Sequence, residues 1–186
     1  MTNSTNKYPL TIRILHWFIA LLILATFSSG FIMSDLDNKK AILKGFLANF
    51  HKSFGAIVLV FIIFRVIVRL LSTTPKYDNN ISNLTIIIAK VTHMLLYVLM
   101  LAVPLSGLCM TLLGGRSLSV FGIAVPIDIG VNKEIAGKLY EAHKILPYFL
   151  IGLVGLHIAA TIKHMVINKD NIFNRISISC CSKKNK

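Results

Sequence analysis

The stretch HKILPYFLIGLVGLH, residues 143–157, is an apolar segment that begins and ends with histidine. An imidazole at membrane depth is costly unless its nitrogens are paired, so an ionisable residue in such a segment indicates a functional site. His143 and His157 are fourteen residues apart, which in a helix means about 21 Å of rise and about 40° short of whole turns. The two rings are therefore predicted to share one helix face at two depths.

The rest of the chain is also apolar enough for a membrane protein. Of its 186 residues, 55% are hydrophobic and 15% are charged, a composition that excludes an ordinary soluble domain. Four windows are each long enough to cross a hydrocarbon layer of about 30 Å, and because lipid offers no water to backbone groups, each is predicted to be helical. They lie near residues 10–33, 50–71, 84–113 and 136–167.

These windows predict an all-α fold, an integral membrane four-helix bundle that forms one domain over residues 1–186 and ends in a basic tail at 168–186. The first window is longer than the apolar core of a signal peptide and is kept as a span. Twelve of the 20 Lys and Arg fall on the side of the two termini, and this bias predicts that both termini are cytoplasmic. The net charge of +13 fits membrane lipid of anionic character beside the tail, and no nucleic-acid motif is present.

The connections between the spans are expected to differ in character. Residues 34–49 are predicted to form an outward-facing loop and residues 72–83 a turn-rich inward-facing one. Residues 114–135 are predicted to fold as a cap over the bundle mouth because they contain Gly114, Gly115, Gly122, Pro126 and Gly130. No internal repeat is evident, and no role is assigned to the cysteines, Cys109, Cys180 and Cys181.

Each histidine of the fourth span needs a partner at its own depth. His51 opens the second span from the outer side and can meet His143. His16 lies about 9 Å into the first span from the inner side and can meet His157. His93 lies about 13 Å into the third span from the same side and competes with His16. The spacing leaves this inner choice open.

Single histidines at two depths favour haem over a free metal ion. Zinc sites gather three or four ligands at close spacing, whereas haem iron takes two axial ligands on opposite sides of a flat ring in apolar surroundings. Small residues within the spans suit either a haem edge or close helix packing; these are Gly55, Gly107, Gly152 and Gly155. The pattern therefore predicts two haem groups, one at each depth.

Short segments distributed along the chain carry a family resemblance. They are ILHW (14–17), HKSFG (51–55), RVIVRL (65–70), AVPLSG (102–107) and, after His143, IGLVGLH (151–157). In this order, between Pro9 and Arg175, they resemble the bacterial di-haem cytochrome b561 family.

The resemblance implies a multi-pass protein of the bacterial inner membrane with two haems. Its ligand pairs would be His16 with His157 at the inner haem and His51 with His143 at the outer one, which makes His93 a non-ligand. Pro147 removes the amide that would bond the His143 carbonyl, so the fourth helix is expected to kink or begin there.

Two haems at different depths form an electron path across the bilayer, and iron with two imidazoles keeps no open position. The resemblance implies an oxidoreductase of the superoxide oxidase kind, which oxidises superoxide at the periplasmic face and reduces ubiquinone. Cations able to steer a small anion are Lys52, Arg116, Lys133, Lys138 and Lys144. His93 and His164 are candidates for a quinone or proton site, and the candidate partners of haem propionates are Arg13, Arg65 and Arg69.

Two other functions fit the same pattern. The chain could be the haem-bearing membrane subunit of a partner dehydrogenase or hydrogenase that relays electrons to the quinone pool. It could also be a non-redox transporter whose histidines relay protons.

Overall fold

Four long helices account for most of the chain. The computed structural model describes residues 7–74, 81–170 and 172–178. Its helices are α1 (Leu10–Asp35), α2 (Ala41–Leu71), α3 (Asn83–Leu113) and α4 (Lys133–Lys163). Each is long and apolar enough to cross a membrane, which confirms the predicted all-α membrane bundle. Residues 75–80 of the predicted inner loop, and residues 171 and 179–186 of the predicted tail with Cys180 and Cys181, lie outside the described residues.

Consecutive helices run antiparallel. α1 packs closely on α2 and α3 on α4, and α2 also contacts α3. The described chain therefore starts and ends at one end of the bundle, which we call the termini end. The connections from α1 to α2 and from α3 to α4 lie at the opposite end, the hairpin end.

The second helix is longer than predicted. It begins at Ala41 rather than near residue 50, so the expected loop over residues 34–49 is wrong. A short 3-10 turn, Asn38–Lys40, joins α1 to α2. The sequence AILKGFLA at 41–48 holds no proline and is rich in good helix formers, so the helix continues beyond the apolar window that marks the membrane span.

The interior and the outer surface of the bundle are both apolar. Leu15, Ile19 and Leu22 of α1 form a buried cluster with Val58 and Ile62 of α2. On the outside, large side chains such as Leu21 and Leu156 are 66% and 68% exposed. A continuous apolar exterior of this kind is typical of helices that contact lipid.

A two-stranded β-hairpin, which belongs to the connection from α3 to α4, covers the hairpin end of the bundle. Strand β1 (Leu118–Val120) pairs antiparallel with β2 (Ile123–Val125). The two turn residues, Phe121 and Gly122, have φ of 50° and 83°, as a type I′ turn requires. The Phe121 amide donates to the Ser53 hydroxyl at 2.8 Å, and this bond ties the hairpin to α2. The predicted folded cap is therefore confirmed up to residue 132, whereas residues 133–135 belong to α4.

The start of the predicted tail is packed against the bundle. α4 continues as a π-helical turn, His164–Asn168, which is followed by a 3-10 turn, Phe173–Arg175. The Tyr8 amide donates to the Arg175 carbonyl at 3.0 Å, and the Trp17 indole donates to the Ile176 carbonyl at 3.2 Å. Residues 172–178 of the predicted basic tail therefore pack on the start of the chain, because their carbonyls accept hydrogen bonds from it.

The fourth helix does not begin at Pro147. Helix α4 starts at Lys133 and continues through that proline to Lys163. Its N-terminus is capped by Asn132, whose side chain accepts from the Ile135 amide at 3.0 Å. His143 therefore lies within a regular helix, one turn before the proline.

Replacing Ser53 with alanine should loosen the cap and leave the four helices folded. Ser53 is 1% exposed, and its replacement removes the hydrogen bond that ties the Phe121 amide to α2, worth about 0.5–1.5 kcal/mol. We expect faster tryptic cleavage at Arg116 in detergent solution, with unchanged helical circular dichroism. Ser72→Ala, which removes only a bond to the Val68 carbonyl of its own helix, is the control. Equal cleavage of the two variants would contradict the anchoring role.

Candidate functional site

Two histidines face each other at the hairpin end. The ring centroids of His51 and His143 are 5.9 Å apart, with an angle of 80° between the ring planes. Two imidazole nitrogens that each lie about 2 Å from one metal would place the ring centroids about 6 Å apart. The separation therefore fits two axial ligands on one iron, as the sequence predicts for this pair.

The hydrogen bonds of this pair define which nitrogen is available. Nδ1 of His51 lies 2.9 Å from the Thr26 carbonyl, and Nδ1 of His143 lies 2.9 Å from the Val103 carbonyl. Because a carbonyl only accepts, each Nδ1 carries a proton and donates it. In both neutral rings Nε2 then keeps its lone pair for a metal, the usual arrangement of histidine ligands held by a neighbouring carbonyl.

Three histidines meet at the termini end. The ring of His157 lies 6.4 Å from that of His16 and 5.3 Å from that of His93, measured between centroids. Both partners that the spacing allowed are thus in place. The distance from His157 to His16 is close to the separation expected for two ligands of one iron. The distance from His157 to His93 is shorter than that separation.

A buried arginine holds one of these rings. Arg65 is 9% exposed, and its guanidinium donates to the Ile12 carbonyl at 3.3 Å, to His16 Nδ1 at 3.2 Å and to the Tyr97 hydroxyl at 3.3 Å. An arginine has no acceptor, so His16 Nδ1 accepts, and the proton of the neutral ring lies on Nε2. Coordination through that Nε2 would require this contact to be released.

The remaining basic candidates lie near the chain termini. Arg13 donates to the Ser177 carbonyl at 2.8 Å, and its buried Nε has no hydrogen-bond partner. Arg69 lies over the Tyr8 ring at 5.1 Å. His164 Nδ1 is 2.5 Å from an Asp170 carboxylate oxygen, a contact that holds the π-helical turn to the residues after it.

The cations at the hairpin end divide into two groups. Lys138 pairs with Glu134 at 2.7 Å and Lys144 pairs with Glu141 at 3.2 Å, on the exposed surface of α4. Within the described part of the chain, the other predicted cations form no ion pair with a carboxylate; these are Lys52, Arg116 and Lys133. They are the ones whose charge is not offset by an acidic partner.

Two glycines pack directly on the hairpin-end imidazoles. A Cβ at Gly30 would lie 2.8 Å from Cε1 of His51, and one at Gly107 would lie 2.8 Å from Cε1 of His143. Among the four glycines singled out in the sequence, only Gly107 has this role. The other three would meet nothing within 4 Å; these are Gly55, Gly152 and Gly155. Gly30 is not among the glycines singled out in the sequence. The repeated Ser-Gly pair, Ser29-Gly30 and Ser106-Gly107, is the sequence signal that relates it to Gly107.

The described histidines meet as a pair at the hairpin end and as a group of three at the termini end. Over the described ranges, no group of three or more His, Cys, Asp or Glu side chains is arranged to hold a metal ion. Facing imidazoles between apolar helices instead suit a flat, apolar group with metal at its centre, which is what haem provides. The profile of the prokaryotic cytochrome b561 family matches residues 7–177.

The chain belongs to the prokaryotic cytochrome b561 family. Cytochrome b561 homolog 2 of Escherichia coli (strain K12) is 29% identical over 184 residues, which cover 94% of this chain and 93% of that protein. The probable superoxide oxidase CybB of Yersinia pestis is 27% identical over 166 residues, which cover 87% and 90%. Cytochrome b561 homolog 1 of Escherichia coli (strain K12) is 24% identical over 171 residues, which cover 92% and 97%.

Membership defines the general activity. The protein is a multi-pass protein of the bacterial inner membrane that transfers electrons through b-type haem. A redox family is evidence against the predicted alternative of a non-redox proton-relaying transporter.

Replacing Arg65 with leucine should destabilise the bundle more than replacing Arg69 with leucine. The first change removes three hydrogen bonds between helices, each worth about 1.5–3 kcal/mol because the donor is charged. The second removes a contact with one aromatic ring, worth about 0.5–1 kcal/mol. Thermal unfolding in detergent, followed by circular dichroism, measures the difference. Equal losses would contradict the linking role of Arg65.

Proposed function

We propose that the chain binds two haem b groups and carries electrons between the two faces of the inner membrane. The ligands are His51 and His143 at the hairpin end and His16 and His157 at the termini end. The observation that carries this proposal is the hairpin-end pair, whose rings lie 5.9 Å apart with both Nδ1 atoms bonded to backbone carbonyls.

The haems would supply one-electron transfer, since iron held by two imidazoles has no open position for a substrate. The protein holds each ring at a fixed depth and excludes water with the apolar side chains of the four helices. Arg65, without an ion pair among the described residues, is suited to a haem propionate at the termini end, as are Arg13 and Arg69. On the Lys and Arg bias, the termini end is cytoplasmic and the hairpin end periplasmic.

The electron donor in this proposal is superoxide at the periplasmic face, and the acceptor is ubiquinone. The similarity to a probable superoxide oxidase of Yersinia pestis supports it, as do Lys52, Arg116 and Lys133, which can draw a small anion to the hairpin end. His93 and His164 at the termini end remain candidates for the quinone or proton site.

The ligand sets can be tested by haem content. The purified protein should show b-type bands in a reduced-minus-oxidised spectrum and two haems per chain. His51→Ala and His143→Ala should each remove one haem, and His16→Ala and His157→Ala should each remove the other, because an iron that has lost one axial ligand is held weakly.

His93→Ala is the discriminating variant. This variant should keep both haems if His16 is the partner of His157 at the inner haem. It should lose the inner haem if His93 is that partner. Ser72→Ala serves as the control at the end of α2. Absence of haem bands from the folded parent protein would overturn the proposal.

Superoxide should drive ubiquinone reduction in proteoliposomes, and the rate should fall with ionic strength. Reversing the charge of Lys52, Arg116 and Lys133 together should slow the reaction about tenfold, because electrostatic steering raises association rates by at least that factor. Reversal of Lys163 at the opposite end is the control. If the parent protein binds both haems but shows no superoxide-driven quinone reduction, and if a dehydrogenase or hydrogenase co-purifies with it, the role of a membrane relay subunit is favoured instead.

A further inference from the structure

The chain contains an internal repeat that its sequence conceals. The identities between α1 and α3 at an offset of 77 positions include His16 with His93, Ser29 with Ser106, and Gly30 with Gly107. Residues of α2 recur in α4, each 92 positions later: Gly45 as Gly137, His51 as His143, and Lys52 as Lys144. The expectation that no repeat is present is therefore wrong. The two offsets differ because the connection in the second half holds the β-hairpin.

The same contacts recur at equivalent positions of the two halves. Nδ1 of His51 lies 2.9 Å from the Thr26 carbonyl and 3.5 Å from the Ser29 hydroxyl. Nδ1 of His143 lies 2.9 Å from the Val103 carbonyl and 3.0 Å from the Ser106 hydroxyl. Val103 lies 77 positions after Thr26, so each histidine is held by equivalent atoms of the preceding helix.

The hydroxyl geometry fixes the direction of these bonds. Ser29 donates its proton to the Thr26 carbonyl at 2.8 Å, and Ser106 donates to the Val103 carbonyl at 2.7 Å. A hydroxyl has one proton, so each serine oxygen can only accept from the histidine. The two serines are 4% and 6% exposed, which leaves no competing solvent.

We propose that these two groups are equivalent positioning sites for the axial ligands of the outer haem. We call them cradles: the first is Thr26, Ser29 and Gly30, and the second is Val103, Ser106 and Gly107. In each, the carbonyl and the serine oxygen share the Nδ1 proton, and the glycine leaves room for the ring. The inference rests on the proposed function, because it takes His51 and His143 as ligands.

The inner level shows where the repeat breaks. The position of α2 equivalent to His157 is Arg65, 92 residues earlier. Arg65 bonds to His16 at 3.2 Å, whereas in the other half His157 contacts His93 with ring centroids 5.3 Å apart. The four equivalent positions at the termini end thus hold three histidines and one arginine. Since one haem needs only two of these histidines as ligands, the repeat explains why a third is present.

Each cradle is suited to tune the haem as well as to aim the ring. Hydrogen bonding to Nδ1–H makes the imidazole a stronger electron donor, which stabilises the oxidised iron. Loss of the serine acceptor should therefore raise the reduction potential of the outer haem. Ser106 is nearer to its histidine than Ser29, so its effect should be the larger.

The test is a spectroscopic redox titration of the full-length protein with both haems bound. Ser106→Ala should shift the outer midpoint potential upward and leave the inner one unchanged, Ser29→Ala should cause a smaller shift, and Ser106→Thr should restore the parent value. The low-spin electron paramagnetic resonance signal of the outer haem should change in parallel. An unchanged outer potential in both alanine variants, or equal shifts of both haems, would overturn the proposal.

The glycines give a second, independent measurement. Gly30→Ala and Gly107→Ala should displace the imidazoles and lower the content of the outer haem. Gly45→Ala and Gly137→Ala are matched controls, since a Cβ at either would meet nothing within 4 Å. Full retention of the outer haem with an unchanged resonance signal in Gly107→Ala would also overturn the proposal.

Failure of the cradles is distinguishable from failure of the proposed function. If His143→Ala loses the outer haem and the serine variants leave its potential unchanged, only the cradles are wrong. If His143→Ala keeps both haems, the ligand assignment itself is wrong, and the cradle proposal fails with it.

Discussion

An imidazole within a hydrocarbon layer must have both of its nitrogens engaged, and the structure depends on this constraint. At the hairpin end, one nitrogen of each ring bonds to a carbonyl of the preceding helix. The two rings lie 5.9 Å apart, measured between centroids. Such a bond to a carbonyl can form only where two helices approach closely, so it links α1 to α2 and α3 to α4.

Most of the fold could be predicted from the sequence because apolar length determines spans. Hydropathy locates the four helices, and the glycines between residues 114 and 135 indicate the cap. Hydropathy cannot show where a helix continues beyond the membrane, so the start of α2 at Ala41 was placed too late. It also cannot show that residues 172–178 return to α1, because those bonds are accepted by backbone carbonyls, which carry no side-chain signature.

Depth and helical phase predict that His51 faces His143, and they leave His16 and His93 as alternatives beside His157. The residues that support these rings could not be predicted. Gly30 and Ser29 differ little from other small residues in an apolar helix until the ring of His51 is placed against them. The link from Arg65 to His16 was hidden for another reason. An arginine near the end of a span is usually explained by membrane orientation, and only the three-dimensional packing shows that it is buried between helices.

The bond between Tyr8 and Arg175 places the two ends of the described fold beside each other, and the repeat makes the two helical hairpins comparable units. A polypeptide with these properties has no structurally privileged starting point. A circular permutant that begins with α3 and α4, and joins them through a short linker to α1 and α2, would keep every interhelical contact of the parent. The order of the two halves in the gene is then one of two arrangements that encode the same bundle.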